Sequence, residues 1–335
     1  MKAGITFNLK RNRSSVRLDD IPDAEAEFDD AETIVAIQNA LEASGCSVEL
    51  YEATEELSAK LQSNIQSRPD IVFNIAEGMR GRGREAQIPA ILDYLGIPYT
   101  GSDETTLCIA MDKALTKRLA SSFGVNTPKY RVVKYGAPLP ENELSFPVII
   151  KPNTEGSSKG ISALSIAENA AQLVQALTEK MDAYKQDMLI EEFIGGREFT
   201  VGILGNGEAL RVFPPMEIIF KDKAHSIYSY EVKRNYQEFV CYECPPSIDA
   251  KLRKEIEGAA ITVYRALECR DLARMDFRLS PEGRLHFIEI NPLPGLAPGY
   301  SDFPMIAEFC GMDHAALIRN ILGSALARYD LHYRV

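Results

Sequence analysis

A mixed α/β protein of more than one domain is predicted, on three observations. Strand-like and helix-like segments alternate through the first hundred residues, strand signals cluster again around a single helix between residues 130 and 190, and strands dominate once more from about residue 191. Lys2 to Asn8 reads as the first strand. Ala31 to Ser44 carries apolar residues at Ile34, Ile37, Ala40 and Leu41 ahead of Gly45 as a helix C-cap, and Ser47 to Tyr51 alternates as a second strand. Ile71 to Ile75 is a third, buried strand, Glu85 to Leu95 a helix and Ile97 to Tyr99 a short strand. This is a βαβ-type half, in which ligands gather at the carboxyl ends of the strands. A long helix is expected over Thr105 to Phe123. Strands over Tyr130 to Val133, Pro147 to Lys151 and Met188 to Phe193 then surround a helix of residues 167 to 180. Further helices are expected near residues 249 to 268 and 304 to 328, and no repeat, low-complexity tract or linker interrupts the pattern.

Composition narrows the function classes. The 335 residues are 45% hydrophobic and 25% charged, an ordinary globular balance. The net charge of −11 argues against a nucleic-acid surface, which needs basic stripes to neutralise phosphates. Met1 to Lys10 turns polar too quickly for a signal peptide and no long apolar run follows, so the expectation is a cytoplasmic protein with no membrane partner. Six dispersed cysteines read as reduced thiols, and the lone Cys241-Tyr-Glu-Cys244 has no second pair at ligand spacing.

Two segments carry chemistry. Arg274-Met275-Asp276 is followed, after a turn at Ser280-Pro281-Glu282-Gly283, by Glu289-Ile290-Asn291, so that an acid on each of two adjacent strands and an amide two residues on converge as oxygen ligands. Mg²⁺ shared with nucleotide phosphates suits such a set, because it keeps few protein ligands. Solvated strand residues are the plainer alternative. In the second segment, Lys151 closes an apolar strand ahead of Pro152-Asn153-Thr154-Glu155-Gly156-Ser157-Ser158, offering an ammonium and a loop of amides to a triphosphate. It is not a Walker loop, since the lysine precedes the glycines, and a surface turn remains open. Lys113 and Lys117 lie four apart on one helix face, ordinarily a solvated face.

Taken in order, these pieces resemble the ATP-grasp fold and specifically the D-alanine–D-alanine ligases, over nearly the whole chain. The matching segments are Pro98-Tyr99-Thr100-Gly101-Ser102, Met111-Asp112-Lys113, Lys151-Pro152 through Ser158, Leu189 to Phe193 with Glu198 to Val201, Glu231-Val232-Lys233, Arg274-Met275-Asp276, and Glu289-Ile290-Asn291 with Pro294-Gly295. The resemblance implies an N-terminal Rossmann-like domain over 1–103, a central ATP-grasp subdomain over 104–190 and a C-terminal one over 191–335. It also implies roles. Lys113 and Lys151 would hold the α- and β-phosphates, and Glu155, Gly156, Ser157 and Ser158 would close over the γ-phosphate, with Ser157 also at the reacting end. Glu191, Glu192 and the backbone to Ile194 would read adenine, and Glu198 the ribose. Asp276, Glu289 and Asn291 would hold two Mg²⁺ ions, with Mn²⁺ as the alternative. Lys233 would reach the transferred phosphate from a closing loop over Lys221 to Tyr236, and Arg274 with the Gly295 amide would face a tetrahedral oxyanion. A homodimer through the N-terminal domain is implied as well.

Departures from the family fall on the substrate side. Where the ligases carry His-Gly and an acidic turn, this chain has Glu77-Gly78-Met79-Arg80-Gly81-Arg82-Gly83-Arg84. Arg80, Arg82 or Arg84 would pair with a substrate carboxylate or with an acid elsewhere in the protein, unless the segment is only a rearranged surface turn. Arg234 stands where a tyrosine is usual, Tyr300 and Ser301 lie in the loop that would bind the second substrate's carboxylate, and Glu27 is the best match for the acid that fixes the first substrate's ammonium. The expected activity is ATP-dependent joining of a small carboxylate to an amine through an acyl phosphate. An authentic D-alanine–D-alanine ligase, a ligase of secondary metabolism such as those finishing mycosporine-like compounds, a small-molecule kinase and a non-catalytic ATP-binding regulator are the alternatives.

Overall fold

In the computed structural model the described residues are 1–11, 25–63, 68–137, 143–156, 165–221 and 236–331. The first sheet is parallel, with β1 (Lys2–Phe7) between β2 (Ser47–Glu52) and β3 (Ile71–Asn74), and a bridge from Val72 to Tyr99 extends it. The near-continuous burial of β1 and β3 is that of parallel strands covered on both faces. Covering is supplied by α1 (Ala31–Glu42), which buries Ile34, Ile37, Ala40 and Leu41, by α2 (Leu57–Ser63), and by α3 (Gln87–Leu95), which Gly96 ends in the left-handed conformation.

The central sheet is antiparallel, in the order β4 (Tyr130–Val133), β7 (Met188–Glu192), β5 (Val148–Pro152), β6 (Ile166–Ala167). It is preceded by α4 (Glu104–Met111) and α5 (Lys113–Ser122) and covered by α6 (Ala170–Tyr184). The third sheet runs β11 (Val240–Glu243), β10 (Met216–Phe220), β8 (Arg197–Leu204), β12 (Leu272–Leu279), β13 (Leu285–Asn291), with β9 (Arg211–Val212) on β8. Its helices are α7 (Tyr236–Phe239), α8 (Ala250–Ala266), α9 (Asp302–Phe309) and α10 (His314–Arg328).

The first and third sheets share one core, in which Ile5, Ile37 and Phe73 join Leu204, Phe303 and Ile318. A buried ion pair fastens the same seam. Asp271 is fully buried, accepts from the Gly101 amide at 2.8 Å and from the Arg328 guanidinium at 2.7 Å, while Arg328 also donates to the Tyr99 carbonyl at 2.9 Å.

Several elements differ from expectation. The long helix over Thr105 to Phe123 is two helices, because the Asp112 carboxylate accepts from the Leu115 amide at 3.0 Å and caps a new start. The terminal helix is likewise divided, with Gly311 at φ +77 and Asp313 capping α10. The short strand at Ile97 to Tyr99 is only a bridge, and α2, with Leu57 and Leu61 buried one turn apart, has no counterpart in the sequence reading.

Candidate active site

The break at Asp112 aims Lys113 and Lys117 inward. The Lys113 amide donates to the Asn153 carbonyl at 3.0 Å, tying the start of α5 to the loop after β5. The Lys113 Nζ then donates to the Glu155 carbonyl at 2.5 Å and lies 3.3 Å from Glu289. Lys117, expected on a solvated face, is fully buried. It donates to the Ile288 carbonyl at 2.7 Å and lies 3.0 Å from Glu191, which also meets Lys151 at 2.6 Å. Burial alone would raise the Glu191 carboxyl, but the two ammoniums hold it below its ordinary range. Burial pulls Lys117 down to about 8 against the attraction of Glu191, whereas in Lys151 the attraction of Glu191 and Glu289 wins and the value rises. The Glu191 side chain, expected at adenine, is therefore spent on two lysines. Only the backbone beyond it, through half-buried Glu192 and Ile194, is left for a base.

Across the site, β12 and β13 pair so that Asp276 lies opposite Glu289 and Arg274 opposite Asn291, with a bulge after Asp276 that re-aims the strand. Two carboxylates and an amide are hard oxygen donors on one sheet face, the chemistry of Mg²⁺ or Mn²⁺. Among the described residues no group of three or more His, Cys, Asp and Glu gathers to hold a metal alone, so an ion here would complete its shell from phosphate and water. The buried hydroxyl of Thr200, the β8 partner of Asp276, has no hydrogen-bond partner among the described residues, leaving a polar atom for a ligand. Glu198 lies 3.0 Å from Arg278. Burial pushes its carboxyl up to about 7, with Asp276 and Glu289 adding to the rise and Arg278 opposing it.

Arg274 is clamped: it donates to both Asp276 oxygens at 3.2 and 3.0 Å and to Asp302 at 3.1 Å. Burial would depress the guanidinium, yet Asp276, Asp302 and Glu289 drive its value up, so it carries a permanent charge. The Gly295 turn closes on Ser301, whose Oγ accepts from the Ala297 amide at 3.2 Å; a Cβ on Gly295 would come within 2.8 Å of that oxygen.

All three sheets contribute to one cleft. Lys113, Glu155, Gly156, Arg274, Glu289, Asn291, Gly295, Tyr300 and Ser301 line it together with Glu27, Glu77, Glu85 and Asp302. Its N-terminal wall is the turn from Glu77 to Arg84. Gly78 has φ +76, and a Cβ there would strike the Arg84 carbonyl at 2.0 Å, so only glycine permits this turn. Asn8 and Gln87 pin it through the Gly78 and Met79 amides, at 3.0 and 2.9 Å. Of the three arginines, Arg80 is exposed, exposed Arg82 reaches Asp112 at 2.8 Å, and buried Arg84 turns inward. Arg84 donates to Glu27 at 2.6 Å and to the Thr154 carbonyl at 3.2 Å, and lies 3.3 Å from Glu155. Its partners are thus acids of the protein itself. Ser157, Ser158, Lys233 and Arg234, with most of the expected closing loop, lie outside the described residues.

Lys117, Glu85, Arg278 and Asp302 went unnamed as site residues in the sequence reading. Lys117 alone had a signal, its spacing from Lys113; the others acquire meaning only from partners distant in the chain.

Comparison with known proteins identifies the family. Residues 119–323 match the family model for the D-ala D-ala ligase C-terminus. A D-alanine–D-alanine ligase of Aquifex aeolicus is 34% identical over 290 residues, covering 86% of this chain and 92% of that protein. An uncharacterized protein of Sinorhizobium fredii is 36% identical over 77% of this chain and 75% of its own length. Among solved structures, the D-alanine–D-alanine ligase of Bacillus anthracis complexed with ATP superposes with a TM-score of 0.75 over 98% of this chain and 99% of that one, at 22% identity. No helix among the described residues is long and apolar enough to cross a membrane. The chain is a member of the D-alanine–D-alanine ligase family, ATP-dependent C–N ligases of the ATP-grasp fold.

Proposed function

We propose that this protein activates a small carboxylate with ATP and joins it to an amine, on substrates that differ from the family's usual pair on at least one side. The observation that carries the reading is one cleft shared by Lys113, by Glu289 and Asn291, and by Arg274 with the Gly295 turn, with Asp276 hydrogen-bonded to Arg274 and opposite Glu289 on the neighbouring strand. A carboxylate is a poor acyl donor because oxide would have to leave. The γ-phosphoryl is therefore moved onto it first, the amine attacks the resulting acyl phosphate, and phosphate departs. In this reading Lys113 and Lys151 hold phosphate oxygens, Glu198 meets the ribose, and Arg274 with the Gly295 amide stabilises the oxyanion of the tetrahedral intermediate. Asp276, Glu289 and Asn291 would hold Mg²⁺, which supplies charge neutralisation at the phosphates. A closed cleft protects the acyl phosphate from water. The cytoplasmic location and the homodimer belong to the same reading, supported by the family.

Authentic D-alanyl-D-alanine synthesis is the second reading, favoured by the name of the Aquifex aeolicus relative. Release of ADP and phosphate from Mg-ATP, measured across a matrix of amino acids and amines with mass spectrometry of each product, decides between them. Turnover with D-alanine alone establishes the second reading, turnover only with another pair the first, and silence throughout contradicts both.

A further inference from the structure

Among the described residues, the N-terminal wall of the cleft sets one guanidinium, Arg84, against four acids, Glu27, Glu77, Glu85 and Glu155. Its hydrogen bonds are committed to Glu27 and to the loop at Thr154 and Glu155. Glu27 is consequently unavailable. Its side chain is 3% exposed, and the Gly156 backbone closes over it so tightly that a Cβ there would lie 2.4 Å from Glu27 Oε1. The acid that family resemblance assigns to a substrate ammonium is thus answered by the protein's own arginine.

Glu77 is in the opposite position. It is half-buried, lines the cleft, and its carboxylate has no hydrogen-bond donor among the described residues. The turn that presents it is rigid, held by Gly78, Asn8 and Gln87. Burial, then the neighbouring Glu85 and Glu27, push its carboxyl well above the ordinary value, while Arg84 pulls the other way. A carboxylate so placed requires either a proton or a cation from outside.

Resting on the ligase reading above, we propose that Glu77 receives the ammonium of the amino-acid substrate, Glu27 having been taken over by Arg84 as an anchor for the phosphate loop. The ligand class is then a primary ammonium on a small carboxylic acid. A desamino acid of the same shape leaves Glu77 unpaired and is rejected, since sites built around a polar group discriminate strongly against analogues lacking it.

The test takes the amino acid that serves as acyl donor in the pair with the fastest phosphate release in the wild-type screen, and its desamino analogue, with the amine acceptor held constant. The ratio of their kcat/KM values is then compared among the wild type, Glu77→Gln, Glu77→Asp and Glu27→Gln. Glu77→Gln is expected to lower the preference for the amino compound by about tenfold or more through KM, with the affinity for a non-hydrolysable ATP analogue unchanged. Glu77→Asp, which keeps the charge, should restore much of the preference, and Glu27→Gln should leave the ratio near wild type. An unchanged ratio in Glu77→Gln, or a ratio lost only in Glu27→Gln, overturns the proposal while leaving the ligase reading intact. Wild-type silence throughout the screen removes that reading and the proposal together.

Discussion

The two walls of the cleft keep charge in different ways. On and behind the wall formed by the second and third sheets each of these buried cations is answered within the protein: Lys113 by Glu289, Lys117 and Lys151 by Glu191, Arg274 by Asp276 and Asp302, and Arg278 by Glu198. On the N-terminal wall, among the described residues, one arginine serves four acids. On the proposed reading, charges balanced beforehand stay in place for a ligand whose own charge arrives with a metal, and a wall with one guanidinium for four acids would select a ligand that brings a cation. The difference would then separate general ATP chemistry from specificity.

The strongest way to break this comparison is at the strand pair. Asp276→Ala or Glu289→Ala should reduce turnover by roughly a thousandfold or more, because several kcal/mol of phosphate charge stabilisation would be lost. Turnover within tenfold of wild type, at saturating Mg-ATP, would remove both residues from the metal site.

Next in size is Glu191→Gln, which leaves the Lys117 and Lys151 ammoniums facing each other without their shared carboxylate in the interior. Breaking a buried pair in this way should cost about 3 kcal/mol or more in urea unfolding. A cost near zero would mean that the two lysines find other partners.

Glu198 sharpens the balance through pH. Its carboxyl rises from 4.5 to about 7 in the folded protein, so the stability associated with its proton is complete below pH 4.5 and is lost as pH rises through about 7. In EDTA, Glu198→Gln should gain on the wild type by roughly 2–3 kcal/mol between pH 4.5 and pH 8. A flat difference across that window contradicts the burial assigned to this carboxylate.

The smallest effect is expected at the joint between the walls. Arg84→Lys keeps the charge but loses the fork that spans Glu27 and the Thr154 carbonyl, and should raise KM for ATP about three- to tenfold. An unaltered KM would show that the loop after β5 is positioned without it.

How much of this the sequence discloses depends on how local each arrangement is. Asp276, Glu289 and Asn291 are legible because a short hairpin joins their strands, and strand periodicity decides which side chains share a face. The strand that ends at Lys151 and Pro152 is legible for a similar reason, as a short apolar run closed by a lysine and a proline. Glu27 and Arg84 are 57 residues apart, and nothing local announces that they pair. Glu191 looked like a base reader because the lysines that claim it come from α5 and β5. The division of the long helix had a local signal in Asp112, a good N-cap residue, which the apolar periodicity on either side obscured. Local grammar thus accounts for the strands and the facing carboxylates of β12 and β13, while the charge partners are set by tertiary packing.

The central claim is that the carboxylate is activated by phosphoryl transfer within this cleft, and isotope transfer tests it most directly. Each carboxylic acid of a pair that supports turnover is labelled in turn with ¹⁸O in its carboxylate, and the released phosphate is examined by mass spectrometry. Passage through an acyl phosphate carries one oxygen of the labelled donor into each phosphate released. Phosphate free of label whichever acid carries it, formed at the rate of ADP release, would contradict the account.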